Sequence, residues 1–125
     1  MKATIPAYEH LQNSDFTRQD RIKYNNAYIR IQDVDSITYR TFIETGSFPR
    51  ESVISGSIDE SVAITDTLDT DWDRDNVGYN FSHTFSAEHI ARGNATYRIE
   101  ILFNLVDGGK IRDVFRIKTV NIYSE

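Results

Sequence analysis

"ATYRIEILFNLVDGGKIRDVFRIKTVNIY", residues 95–123, decides the fold. From Tyr97 the odd positions read Tyr97, Ile99, Ile101, Phe103 and Leu105, and beyond the glycines Ile111, Phe115 and Ile117 repeat the pattern. Alternation with a period of two marks a strand with one buried face. Parity then constrains the turn. Residues directly opposite one another face the same side, so joining two odd-numbered apolar faces requires an even sum of residue numbers. A two-residue loop gives an odd sum and sets core residues against Arg112 and Arg116. The three-residue loop Asp107-Gly108-Gly109 gives an even one, with Leu105 opposite Ile111, Ile101 opposite Phe115 and Ile99 opposite Ile117. Gly109 then supplies the left-handed residue near the loop's end. In this register Phe103 falls opposite Asp113, a misfit that predicts a bulge or a loose strand end.

The other face of the hairpin pairs Arg98 with Lys118, Glu100 with Arg116, Leu102 with Val114 and Asn104 with Arg112. It is a basic-leaning face with an apolar pair at its centre. One reading is a solvated face. The other is a contact surface, because apolar centres rimmed by arginine are common at interfaces.

Upstream, "GYNFSHTFSAEHI" (78–90) reads as another strand, with Tyr79, Phe81, His83 and Phe85 on one side and Asn80, Ser82, Thr84 and Ser86 on the other. A corner with Ile90 and Gly93 leads into Tyr97. This order resembles the end of an immunoglobulin-like or fibronectin-type sandwich, with a tyrosine corner before the penultimate strand. The resemblance implies that the Tyr97 hydroxyl is tied back to the upstream backbone. The antibody pattern of paired cysteines around a core tryptophan is absent. Before this region, "AYIRIQ", "SITYRTFIE", "ESVISGSI" and "SVAITDTL" are enriched in β-branched and aromatic residues, while "TGSFPR" and "DES" read as connections. About seven strands from Ala27 onward, separated by turn signals, predict an all-β fold: a single antiparallel, immunoglobulin-like β-sandwich over 26–125.

Residues 1–25 differ. Ile5, Tyr8 and Leu11 are spaced for one short helical turn near Pro6, and a polar stretch without a period follows. These residues are expected to form an N-terminal arm, either disordered or ordered against a partner.

Composition narrows the function. The 125 residues fit one domain, and a net charge of -5 disfavours nucleic acid and anionic membrane surfaces. With no cysteine there is no disulfide, thiolate chemistry or Cys-ligated metal. No signal-like apolar stretch begins the sequence, so synthesis in the cytoplasm is expected.

"DTDWDRDNVG" (69–78) places Asp69, Asp71, Asp73 and Asp75 at alternate positions, but both EF-hand frames lack the closing glutamate. A solvated loop or edge strand with Leu68 and Trp72 inward is expected rather than a metal. His83, between Phe81 and Phe85, reads as a core or rim histidine, with nothing to bring His10 and His89 to it. There is no Ser elbow and no phosphate loop, and the chain is expected not to be an enzyme and to need no cofactor.

The hairpin "YRIEILFNLVDGGKIRDVFRI" also looks like those of immunoglobulin-like domains in bacteriophage virion proteins. That likeness implies a structural role in the virion, as a capsid decoration, cement or tail component. The partners would be capsid or tail proteins together with further copies in a homo-oligomer. Ile5, Tyr8, Leu11 and Phe16 of the arm would dock on a neighbour, and Arg98, Leu102, Arg112, Val114 and Arg116 would form a second contact. The alternative is a carbohydrate- or ligand-binding sandwich module, calcium-assisted through 69–75.

Overall fold

The structure is a computed structural model and describes residues 7–44, 51–70 and 78–120. In chain order its strands are β1 (Ala7–Leu11), β2 (Phe16–Asp20), β3 (Lys23–Tyr24), β4 (Ala27–Tyr28), β5 (Val34–Ile43), β6 (Glu51–Ile58), β7 (Ile64–Asp69), β8 (Tyr79–Phe85), β9 (Thr96–Leu105) and β10 (Lys110–Val120). One helical turn, α1 (Glu60–Ala63), precedes β7 and is capped by the Asp59 side chain. Two sheets face each other. One has the order β1-β10-β9-β5-β6 and the other β2-β8-β7, while β3 and β4 form a separate small hairpin.

The chain is therefore an all-β sandwich, and its strand order is immunoglobulin-like. β5, β9 and β10 hold the positions of strands C, F and G, and β2, β8 and β7 those of B, E and D. β6 extends the first sheet beyond C, as in variable-type domains. The tyrosine corner is present: the Tyr97 hydroxyl accepts a hydrogen bond from the Arg92 backbone N–H at 3.0 Å. Between the sheets lie Ile99, Ile101 and Phe103 of β9, Phe115 and Ile117 of β10, and Phe81 and Phe85 of β8.

The terminal hairpin keeps the expected parity but moves by two residues. Ile99 lies opposite Phe115, Tyr97 opposite Ile117 and Phe103 opposite Ile111. The three loop residues are Val106, Asp107 and Gly108. Leu105 N–H donates to Gly109 C=O at 2.8 Å, and Gly108 carries the positive φ, +94°. Gly109 answers a different need, since a Cβ there would run into the Tyr24 hydroxyl. Phe103 is thus not opposite Asp113. Asp113 faces Ile101 on the buried side, and no bulge interrupts the β9–β10 ladder.

Three strands, β1, β2 and β3, come from the region expected as an arm, and the first two join the main sheets. β1 pairs in parallel with β10, Ala7 opposite Arg116 through Leu11 opposite Val120. β2 pairs with β8, Phe16 opposite Phe85. The helical spacing of Tyr8 and Leu11 loses to these ladders, a tertiary override of local pattern. "AYIRIQ" contributes just the two residues of β4 before a 3-10 turn over Ile31–Asp33. "SVAITDTL" begins as helix and becomes strand at Ile64. "TGSFPR" lies outside the described residues.

A buried ion pair pins the sheets. Arg18 of β2 reaches across to Asp113 of β10, Nε donating to Oδ2 at 3.0 Å and Nη2 to Oδ1 at 2.8 Å. Nη1 donates to Tyr8 Oη, Nη2 donates also to Asp20 Oδ2, and the guanidinium carbon lies 4.6 Å from the Phe115 ring centroid. Burial works against the guanidinium's charge. Its hydrogen bonds and attraction to Asp113 and Asp20 outweigh that, so its pKa lies above the ordinary value.

Two predictions follow from these contacts. Arg18→Met, which strands a buried carboxylate, is expected to lower unfolding free energy by about 3–5 kcal/mol in urea titrations, with Arg18→Met/Asp113→Leu recovering most of it. A single-variant loss below about 1 kcal/mol would deny the pair its role. Gly108→Ala is expected to cost about 1–2 kcal/mol through the left-handed backbone, and Gly108→Asn less.

Candidate functional site

The outward face of the five-stranded sheet carries the candidate site. Alternation places Arg98, Glu100, Leu102 and Asn104 of β9 there, with Lys110, Arg112, Val114, Arg116 and Lys118 of β10. Pairing across β5 adds Ser36, Thr38, Arg40 and Phe42. Inward neighbours on the same strands are buried, Tyr39 and Ile111 partly so, and these are half-buried or exposed, as a sheet with one packed face requires.

The two-residue shift of the hairpin changes the detail. Arg98 lies opposite Arg116, Leu102 opposite Arg112 and Val114 opposite Glu100. Leu102 and Val114 are therefore diagonal neighbours rather than a direct pair, a separation still within reach of long side chains. The two like-charged arginines are tolerated because each has its own carboxylate. Arg98 Nε donates to Glu100 Oε2 at 2.7 Å, and Arg116 Nε donates to Glu44 Oε1 at 2.7 Å. Glu44 sits just beyond β5 and raises the Arg116 pKa. Among the described residues Arg40 and Arg112 have no ionic partner. With Thr38, Glu100 and Leu102 they line a shallow depression of about 230 Å³. Counting Lys110 and Lys118, this face sets six cations against Glu9, Glu44 and Glu100, in a chain whose net charge is -5.

The residues expected in the arm do not form a common docking element. Tyr8 is 42% exposed and holds Arg18 through its hydroxyl, while Leu11 is 54% exposed at the end of β1. Phe16 is 6% exposed and stacks on Phe85 with centroids 5.0 Å apart. It belongs to the core and is not offered to a partner. Ile5 lies outside the described residues. Asp71, Trp72, Asp73 and Asp75 lie outside them too. Asp69 accepts a hydrogen bond from the Tyr79 hydroxyl at 3.1 Å, and Leu68 is half-buried. Among the described residues no three His, Asp or Glu side chains gather as metal ligands.

Two of the three histidines, His83 and His89, pack against the same two rings. His83 packs on Phe85 and Tyr39, with centroids 4.6 and 6.2 Å away, and His89 lies 5.4 Å from both of those rings. His89 is 4% exposed. Its Nδ1 bonds with the Ser86 C=O, and its Nε2 has no hydrogen-bond partner among the described residues. His10 is elsewhere, bonded to the Asp15 C=O. The corner AEHI folds as a 3-10 turn, which swings His89 back over β8; the sequence signal was the helix-compatible run after Ser86.

A second residue escaped sequence reasoning. Asn80 was placed on the polar side of its strand, yet it is buried. Its Oδ1 accepts from Ile22 N–H, and its Nδ2 donates to the carbonyls of Ile22 and Ile29. It holds the loop that carries the β3–β4 hairpin.

No protein-family model matches the chain, and no curated protein matches it. Among solved structures it is similar to murine CRIg, with a TM-score of 0.46 and 11% identity, over 97% of this chain and 96% of that one.

Partial burial and the neighbouring His89 hold the His83 pKa below the usual histidine value of 6.5. The unfolded chain then binds more protons than the folded one as pH falls, so stability is full above pH 6.5 and is lost through and below it. Thermal melts are expected to show this acid-side decline and to show it flattened in His83→Gln. An unchanged pH profile in the variant would assign the decline to other groups.

Proposed function

We propose that the chain is a non-enzymatic association module that works through the outward face of its five-stranded sheet, and that it serves as a structural component of a phage particle, a capsid decoration or a tail part. The observation that supports association is the distribution of charge and apolar area on that face. Leu102 and Val114 form an apolar seam, and Arg40 and Arg112, without an ionic partner among the described residues, flank it on a chain that is acidic as a whole. Such a face favours an acidic partner surface, which the cations steer and the seam anchors. Three concavities over the described residues measure about 290, 230 and 220 Å³. These lie at or below the lower end of the ~300–1,000 Å³ usual for small-molecule sites. The virion setting rests on the resemblance of the terminal hairpin alone.

Binding to purified capsid or tail proteins encoded beside this chain, followed by co-sedimentation, tests both halves. Leu102→Glu/Arg112→Glu is expected to weaken binding at least about tenfold, near 1.4 kcal/mol, and added salt is expected to weaken the native contact. Binding that ignores both would remove the face from the mechanism. No binding to any of those proteins would remove the virion setting.

A further inference from the structure

Four strands form the edges of the two sheets: β1 and β6 in one, β2 and β7 in the other. An edge offers its unpaired N–H and C=O groups to any extended chain, and proteins guard against this with charge, shortness or irregularity. Three of these edges are guarded. β1 has five residues, Glu9 and His10 among them. β2 points Arg18 inward and carries Asp20. β7 carries Asp66 and Asp69, and its ladder to β8 is irregular between Ile64 and Asp69.

β6 is not guarded. It runs for eight residues, and from Ser52 to Ile58 it holds neither charge nor proline. Beyond its ladder to β5, no hydrogen bond to a described residue reaches 54–58. Ser55, Gly56 and Ser57 are exposed, and their small side chains leave the backbone open. Gly56 is held glycine from within, since a Cβ there would lie 2.8 Å from the Tyr39 hydroxyl. A larger residue at 56 therefore requires Tyr39 to shift.

We propose that β6 is a self-association edge, pairing antiparallel with β6 of a second copy across a two-fold axis so that two five-stranded sheets become one. Charge selects this occupant. Two copies of an acidic chain repel wherever their acidic surfaces approach, and 54–58 is a stretch of edge along which they meet with no charge on either side. Symmetry agrees, because a two-fold contact must be self-complementary. The inward faces stay on one side when opposed residue numbers sum to an even value. Centred on Gly56, the pairing sets Ile54 against Ile58 and Ser55 against Ser57. Opposed serines stabilise such a pair through hydrogen bonds. The contact is independent of the outward face and leaves it free.

The test is sedimentation velocity of the full chain over rising concentration. The native chain is expected to shift from monomer to dimer. Ser55→Lys/Ser57→Lys, which opposes like charges across the axis, is expected to remain monomeric with an unchanged thermal midpoint. The chain has no cysteine, so mixing Ser55→Cys with Ser57→Cys gives a clean register probe. Oxidation is expected to link the mixture more completely than either variant alone. A native chain that stays monomeric, a dimer that survives the lysines, or a dimer lost instead in Leu102→Glu would each overturn the proposal; the last would assign self-association to the outward face.

Discussion

The rest of the structure depends on one buried ion pair, Arg18 with Asp113. It joins strands on opposite sheets, and its partners are 95 residues apart in sequence. Apolar packing alone would tolerate many stackings of one sheet on the other, because Ile, Phe and Tyr faces are forgiving of small slides. A guanidinium and a carboxylate taken out of water tolerate one. Any other stacking leaves a charge unpaired in the core, at a cost of several kcal/mol. Tyr8 and Asp20 complete the shell around the guanidinium, so the pair also fixes β1 beside β10 and the run of β2 along β8.

The terminal hairpin was legible because its cause is local. Alternation, parity and a glycine in the loop are all written within thirty residues, and Tyr97 announces the corner. The two-residue shift was not legible, because parity admits any even sum. In the observed register Asp113 lies opposite Ile101, where Arg18 of β2 reaches it. The same distance hid the strands at residues 7–20. Phe16 and Arg18 alternate inward as a strand should, but Thr17, Gln19 and Asp20 make the segment read as polar. Its partner is known only once the sheets are assembled. Asn25 and Asn26, each with positive φ, form the two-residue turn between β3 and β4. That signal was present, but no flanking apolar run drew attention to it.

The candidate site was legible in identity and less so in arrangement. Leu102, Val114 and the arginines of β9 and β10 fall outward because their neighbours fall inward. Glu44, which neutralises Arg116, comes from another strand's end. Arg40 joins Arg112 only through the β5–β9 ladder. The open edge of β6 belongs to the same class of feature. Its composition is plain in the sequence, but a strand's place in the order of a sheet is decided by topology.

The parallel pairing of β1 with β10 has a consequence for how the chain reaches this state. The first described strand is completed by the last, with nearly the whole domain lying between them. During synthesis, β1 must wait without its ladder until β10 has left the ribosome. β2 meanwhile holds Arg18 with no carboxylate from β10 to receive it. Contacts of such long sequence separation slow folding. The finished domain is a sandwich in which the ladder of its first described strand cannot form until the last described strand has been made.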